Sequence, residues 1–258
     1  MPNRVKQAWS RGETVIVGWL QIPSGYSVEV MVKAGYDALT VDMQHGVQDY
    51  QSLVACFQAM TPQGPVPMVR VPWNEPGMIG KVLDAGAMGI ICPMINTPEE
   101  ARALVSYMRY PPLGVRSHGP IRAGVYGEAG IYYKTANDDV ICMPMIETEQ
   151  AVVNIDAILD VPGIDAVYVG PGDLGLSMGL PPAMDREEPQ ILKHYETVLR
   201  ACEKRGIYAG LHNATAGYAI RMMRMGFRYV VLTSDSAIML RAATAEVSIV
   251  REAKPRSV

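Results

Sequence analysis

"VPMVRVPWNEPGMIGKVLDAGAMGIICPM", residues 66 to 94, contains one full turn of the pattern that runs through the chain. It opens on a short apolar run, "VPMVRV" (66–71), and closes on another, "GIICPM" (89–94). Both runs are apolar on successive residues, as expected of strands covered on both faces in a parallel sheet. Between them "EPGMIGKVLDAG" carries helix start and stop signals. Asn74 is placed to cap, Pro76 falls early, and Gly86 lies just past the end. Strand, helix and strand at this spacing predict a parallel pair joined by a crossover helix.

The same unit recurs on both sides. Further strand candidates are "TVIVGWL" (14–20), "ALTVDM" (38–43), "ICMPMIE" (141–147), "AVYVGP" (166–171), "YAGLHN" (208–213) and "YVVLTS" (229–234). Thr97, Pro98 and Glu100 form a capping-box start for "PEEARALVSYMRY". Eight strands with intervening helices make a (β/α)₈ TIM barrel the economical reading, and 258 residues matches the usual length of about 250. A doubly wound open sheet is the alternative. Residues 110–139, "YPPLGVRSHGPIRAGVYGEAGIYYKTANDD", break the rhythm and read as a long binding, lid or contact loop. With no linker or low-complexity tract, residues 1–258 read as one barrel domain.

Composition narrows the function. A net charge of −3 without a basic stripe argues against nucleic acid and anionic membrane surfaces as partners. The opening "MPNRVKQAWSRGET" has no apolar core to make a secretory signal, and the apolar runs are too short to span a membrane. Cys56, Cys92, Cys142 and Cys202 are scattered, which predicts buried, reduced thiols in a cytoplasmic protein.

In a barrel, chemistry sits where strands end. Those ends carry Gln21, then Asp42, Gln44 and His45, then Arg70. Asn96, Glu147, Asp173, His212 with Asn213, and Ser234 with Asp235 complete the ring. Any one of these could be a loop polar group, but so many around one mouth predict a site. Glu147 and Asp173 end neighbouring strands, and two carboxylates facing one point suit Mg²⁺ or Mn²⁺. Glu147 could equally serve the N-terminus of the next helix. The "GPGD" turn offers the amides of Gly172 and Asp173 to a substrate carboxylate. Arg70 can grip a carboxylate or steady an oxyanion, or else form an internal salt bridge to Glu147 or Asp173. His45 is a candidate acid/base that Asp42 would orient, with Gln44 beside it as a substrate contact; a structural histidine is the alternative. None of the seven lysines ends a strand, so a Schiff-base mechanism has no amine in the pocket.

"VDMQHG", "VRVPWNEPGMIGKVLDAGAMGIICPMINTPEEAR", "RYPPLGVRS", "MIET" and "YVGPGDLGLSMG" together resemble the HpcH/HpaI family of metal-dependent (class II) 2-oxo acid aldolases. "DMQHG" with "GWLQ" is similar to the members acting on hydroxypyruvate and pyruvate. The resemblance implies a barrel of the phosphoenolpyruvate/pyruvate type. It makes Glu147 and Asp173 the metal ligands, with Co²⁺ or Zn²⁺ as alternatives to Mg²⁺ or Mn²⁺. Arg70 would contact the oxo-acid, His45 would be the acid/base, and Asp84 would pair with it. A homotrimer or homohexamer is implied, and Ile238, Leu240, Val247 and Val250 are spaced to pack a last helix on a neighbour. Met145 stands where many members carry glutamine, and "RSHG" puts His118 in the aldehyde-side loop as a substrate contact.

The predicted reaction is reversible addition of a 2-oxo acid, pyruvate or hydroxypyruvate, to an aldehyde through a metal-stabilised enolate. Oxaloacetate decarboxylation, acyl-CoA lyase chemistry and a non-catalytic oxo-acid-binding barrel are the alternatives.

Overall fold

Each apolar run becomes a strand. These are β1 (Val15–Leu20), β2 (Ala38–Asp42), β3 (Val66–Arg70) and β4 (Gly89–Cys92), then β5 (Ile141–Ile146), β6 (Ala166–Val169), β7 (Tyr208–His212) and β8 (Tyr229–Ser234). All pair in parallel and in order, and β8 returns to β1, so the sheet is a closed barrel and not an open one. The structure, a computed structural model, describes residues 2–126 and 130–253. Among the described residues, no helix is long and apolar enough to cross a membrane.

Strand alternation divides the apolar residues into two cores. Val15, Val17 and Trp19 of β1 face inwards with Met68, Ile91, Ile141, Met143, Met145, Tyr168, Tyr229 and Val231. The outward-facing residues, such as Leu39, Val41, Val69, Ile90 and Val167, pack under the helices. The helix Arg4–Ser10 closes the amino end of the barrel: Val5 and Trp9 belong to the inner core, and Trp9 stacks on Tyr208 at 4.7 Å. Gly210 makes room in the interior, since a Cβ there would lie 3.0 Å from the Tyr229 ring and 3.2 Å from that of Tyr168.

The helix signals hold with one change. The helix Pro76–Asp84 is capped by Glu75, not Asn74; the Glu75 carboxylate accepts from the N–H groups of Gly77 and Met78. A carboxylate one residue nearer the first turn reaches two free amides and meets the positive end of the helix. Thr97 and Glu100 form the expected capping box for the helix Pro98–Met108. Residues 110–139 are not simply a loop: two short helices, Ile121–Tyr126 and Tyr132–Asp139, lie within them. The four cysteines are free and buried.

Several strand-end residues hold the barrel shut instead of lining a site. Asp235 accepts from the N–H groups of Gln21 at 2.9 Å and Ser236 at 2.7 Å, tying β8 to the exit of β1. Ser236 Oγ donates to Gln21 Oε1, and the Ser234 hydroxyl caps the helix Asp235–Glu252. Asn96 accepts from Thr148 and donates to the Met94 carbonyl. Asp235→Ala strands two part-buried amides, and urea unfolding is expected to show a loss of about 1 kcal/mol, whereas Asp235→Asn loses less.

Candidate active site

Four inward positions at the carboxyl ends of their strands build the mouth: Trp19 on β1, Asp42 on β2, Arg70 on β3 and His212 on β7. Glu147 follows the last residue of β5 and completes the layer. Asp42 and Arg70 are register partners on adjacent strands. Their side chains form a planar two-bond clamp, with Arg70 Nε 2.8 Å from Oδ1 and Nη2 2.7 Å from Oδ2. Trp19 Nε1 donates to Asp42 Oδ2 at 3.0 Å, and the Arg70 guanidinium lies over the Trp19 ring at 4.9 Å. Asp42 is fully buried. Burial alone would push its carboxyl up, but Arg70, Trp19 and the His45 amide outweigh that and hold it below the ordinary carboxylate range.

This clamp corrects two expectations. Arg70 is bound to Asp42, not to Glu147 or Asp173. Asp42 touches His45 only through the backbone, accepting the N–H groups of Gln44 and His45 at 3.2 Å each. Its oxygens are committed to the guanidinium and the indole, so it does not orient the imidazole, which is exposed. Gln44 Oε1 is buried without a hydrogen-bond partner.

Glu147 is 2% exposed and accepts the Met94 N–H at 2.7 Å. Met94 adopts a left-handed backbone, φ 56°, unusual for a side chain of its size and a conformation that accumulates at functional sites. Thr148, not Glu147, caps the following helix. A Cβ on Gly170 would sit 2.5 Å from Glu147 Oε2, so only glycine there leaves the carboxylate its place. Burial, then the charge of Asp173, push Glu147 up to about 7 against the opposing Met94 amide and Arg70. Asp173 lies in the first turn of the helix Pro171–Ser177, which has no side-chain cap, leaving the Gly172 and Asp173 amides free of helical partners. Buried Arg186 packs over Gly175 of that helix and was not suggested by any motif.

A divalent cation fits this donor set. The charge of Asp173 adds to burial in raising the proton affinity of Glu147, and both donors are oxygens, which suits a hard ion that keeps open positions. Among the described residues, no cluster of three or more acidic, histidine or cysteine side chains forms a closed cage.

Asp84 and His118 do not join this mouth in their own chain. Asp84 ends the helix Pro76–Asp84 at the amino side of the barrel, where Arg116 Nη2 donates to it at 2.8 Å. His118 is exposed beside Tyr110 and Tyr133, in the connection that leads into the start of β5. A helix running back against the strands delivers its end to the face opposite the strand ends. A cavity of about 300 Å³ also opens on that amino side, between Asn3, Phe57, Met60 and Met88; its lining includes none of the strand-end acids.

A parallel barrel with paired acids, a clamped arginine and a free imidazole at its carboxyl face defines an enzyme of the barrel-lyase class. Residues 16–242 match the family model for HpcH/HpaI aldolase/citrate lyase, and the chain belongs to that family. It is 38% identical to the hydroxypyruvate/pyruvate aldolase of Rhizorhabdus wittichii over 93% of this chain and 96% of that protein. It is 34% identical to a 4-hydroxy-2-oxo-heptane-1,7-dioate aldolase of Escherichia coli, covering 95% of this chain and 94% of the other. A family protein from Burkholderia cenocepacia superposes with a TM-score of 0.90 at 30% identity, covering 96% and 99% of the two chains.

Asp42→Ala leaves Arg70 buried without its partner. Denaturant unfolding is expected to show a loss of about 3–5 kcal/mol, larger than that of any single exposed salt bridge in the protein.

Proposed function

We propose that this chain is a class II aldolase of the phosphoenolpyruvate/pyruvate type, one barrel domain that adds a 2-oxo acid, pyruvate or hydroxypyruvate, to an aldehyde and reverses the reaction. The observation that carries this reading is the buried Glu147 carboxylate, ending β5 next to the Arg70 clamp, with Asp173 in the first turn of the helix after β6. Glu147 and Asp173 would hold Mg²⁺ or Mn²⁺, an ion that supplies Lewis acidity to the oxo-acid's oxygens. Arg70, fixed by Asp42 and Trp19, stabilises the negative charge that develops on the C2 oxygen as a C3 proton leaves. The amides of Gly172 and Asp173 bind the substrate carboxylate. His45 takes and returns protons at the mouth, and Gln44 accepts a hydrogen bond from substrate. The relatives named above, one a hydroxypyruvate/pyruvate aldolase, support this assignment.

The active form is proposed to be a homotrimer or homohexamer. In the helix Asp235–Glu252 only Asp235 is buried, while Met239, Leu240, Val247, Ile249 and Val250 are exposed. That apolar face suits a second copy. Asp84 and His118, at the far end of their own barrel, can serve a mouth only across such an interface. The four buried thiols fit a reducing, cytoplasmic setting.

Pyruvate or hydroxypyruvate with Mn²⁺ in D₂O is expected to exchange its C3 protons, followed by NMR. Chelation and Glu147→Ala should each lower the rate at least 10²-fold, by roughly the effect of removing one charge-stabilising group; exchange that survives both refutes the assignment. The raised Glu147 carboxyl has a second consequence. Below about 7 it binds a proton that the cation must displace. Calorimetry in buffers of different ionisation heat should therefore show more protons released per Mn²⁺ at pH 6 than at pH 8. Leu240→Asp combined with Val250→Asp is expected to lower the solution mass to that of a smaller assembly, read by light scattering.

A further inference from the structure

His212 ends β7 and faces into the mouth, and none of the steps above employs it. Its Nδ1 lies 2.7 Å from the Tyr168 hydroxyl. Tyr168 is fully buried, stacked on Trp19 at 5.7 Å and edge-on to Tyr229 at 6.2 Å. Burial keeps its phenol protonated, well above the ordinary tyrosine range. A buried O–H has to donate, and Nδ1 is the acceptor it meets. Tyr168 is therefore the donor, Nδ1 the acceptor, and the ring proton lies on Nε2.

That Nε2–H is held ready but unspent. Burial, then the charge of Arg70, lower the imidazole to about 4 against the opposing Asp42, so it is neutral across the physiological range. His212 is only part-buried at an inward-facing strand end, and with its Nδ1 edge turned to Tyr168 the Nε2 edge is the one left towards the mouth. His212 meets the Trp19 ring edge-on at 5.0 Å, and the same ring carries the Arg70 guanidinium. The donor thus sits one ring away from the group that binds the reacting oxygen. A neutral donor fixed from behind by a phenol suits a neutral oxygen; the charged ends of the substrate already have Arg70 and the helix amides.

We propose that His212 Nε2–H hydrogen-bonds a hydroxyl oxygen of the substrate, so that the Tyr168–His212 pair selects hydroxylated over deoxy substrates. This rests on the aldolase reading. The hydroxyl belongs either to a 3-hydroxy-2-oxo acid or to a 2-hydroxyaldehyde, two sources of one chemistry. A deoxy analogue leaves the N–H facing a carbon, and sites built for a hydroxyl discriminate strongly against its absence.

The test compares wild type, His212→Leu and Tyr168→Phe with Mn²⁺ in four pairings, hydroxypyruvate or pyruvate with glycolaldehyde or acetaldehyde. For His212→Leu, the ratio of kcat/KM for hydroxylated over deoxy substrate is expected to fall about 10- to 100-fold in one arm. The arm that falls names the source. Tyr168→Phe, which frees the tautomer but keeps the ring, should move the same ratio less and in the same direction. Equal losses in every pairing, or an unchanged ratio, overturn the proposal. Nitrogen-15 spectra should also show His212 protonated on Nε2 and bare at Nδ1 at pH 7, the signal assigned by its loss in His212→Leu. The opposite tautomer, or a charged ring, overturns it too. A wild type that turns over none of the pairings removes the aldolase reading. Calorimetric binding of hydroxypyruvate against pyruvate then decides the His212 contact separately: a preference that His212→Leu abolishes supports it, and equal affinities refute it.

Discussion

Asp42 and Arg70 meet in the wall of a closed barrel, and the electrostatics of the mouth follow from that meeting. A guanidinium alone in this position would bear a heavy desolvation cost, and removing either partner of such a pair exposes it. Because Asp42 satisfies Arg70 in a two-bond clamp, Arg70 does not collapse onto Glu147. Glu147 keeps a raised proton affinity, set first by its burial and then by the charge of Asp173. One internal pair therefore does two things at once. It fixes the direction of a cationic donor, and it keeps that donor off Glu147. Trp19 joins both effects, donating to Asp42 on one edge and lying under the guanidinium with its face.

The molecule keeps stability and chemistry at different heights. The amino half of the interior is apolar and closed by Val5 and Trp9, whereas Asp42 and Arg70 sit at the carboxyl ends of their strands. Glycine at 170 and the left-handed Met94 are local concessions at that layer, and both serve the position of Glu147. At the opposite face, Arg116 lies against the Tyr110 ring at 4.5 Å and binds Asp84, making a separate rigid cluster with no part in the mouth of its own barrel.

The barrel was legible because its strands are apolar on both alternations and separated by capped amphipathic stretches, signals that survive in one sequence. Glu147 stands out for the same reason, ending an apolar run, whereas Asp173 reads as a second strand end and lies instead in the first turn of the helix Pro171–Ser177, because β6 stops at Val169. What strand-end side chains do to one another was not legible, because the partner of each is set by register across strands that lie far apart in sequence. Asp42 looked like a neighbour of His45 and is instead the counterion of Arg70, 28 residues away. Trp19 and Tyr168 carry no polar signal in the sequence; both belong to the inner core, and only their edges, on Asp42 and His212, reveal a polar task. Arg186 and Met94 carried no pattern at all. The long segment 110–139 was marked by its length and its Gly and Pro content, yet its two helices were hidden by the same residues.

The plugged interior has a corollary for access. Val5 and Trp9 fill the floor, so whatever reaches the Asp42–Arg70 clamp arrives from the carboxyl face, past Glu147 and the loops, and leaves by the same side.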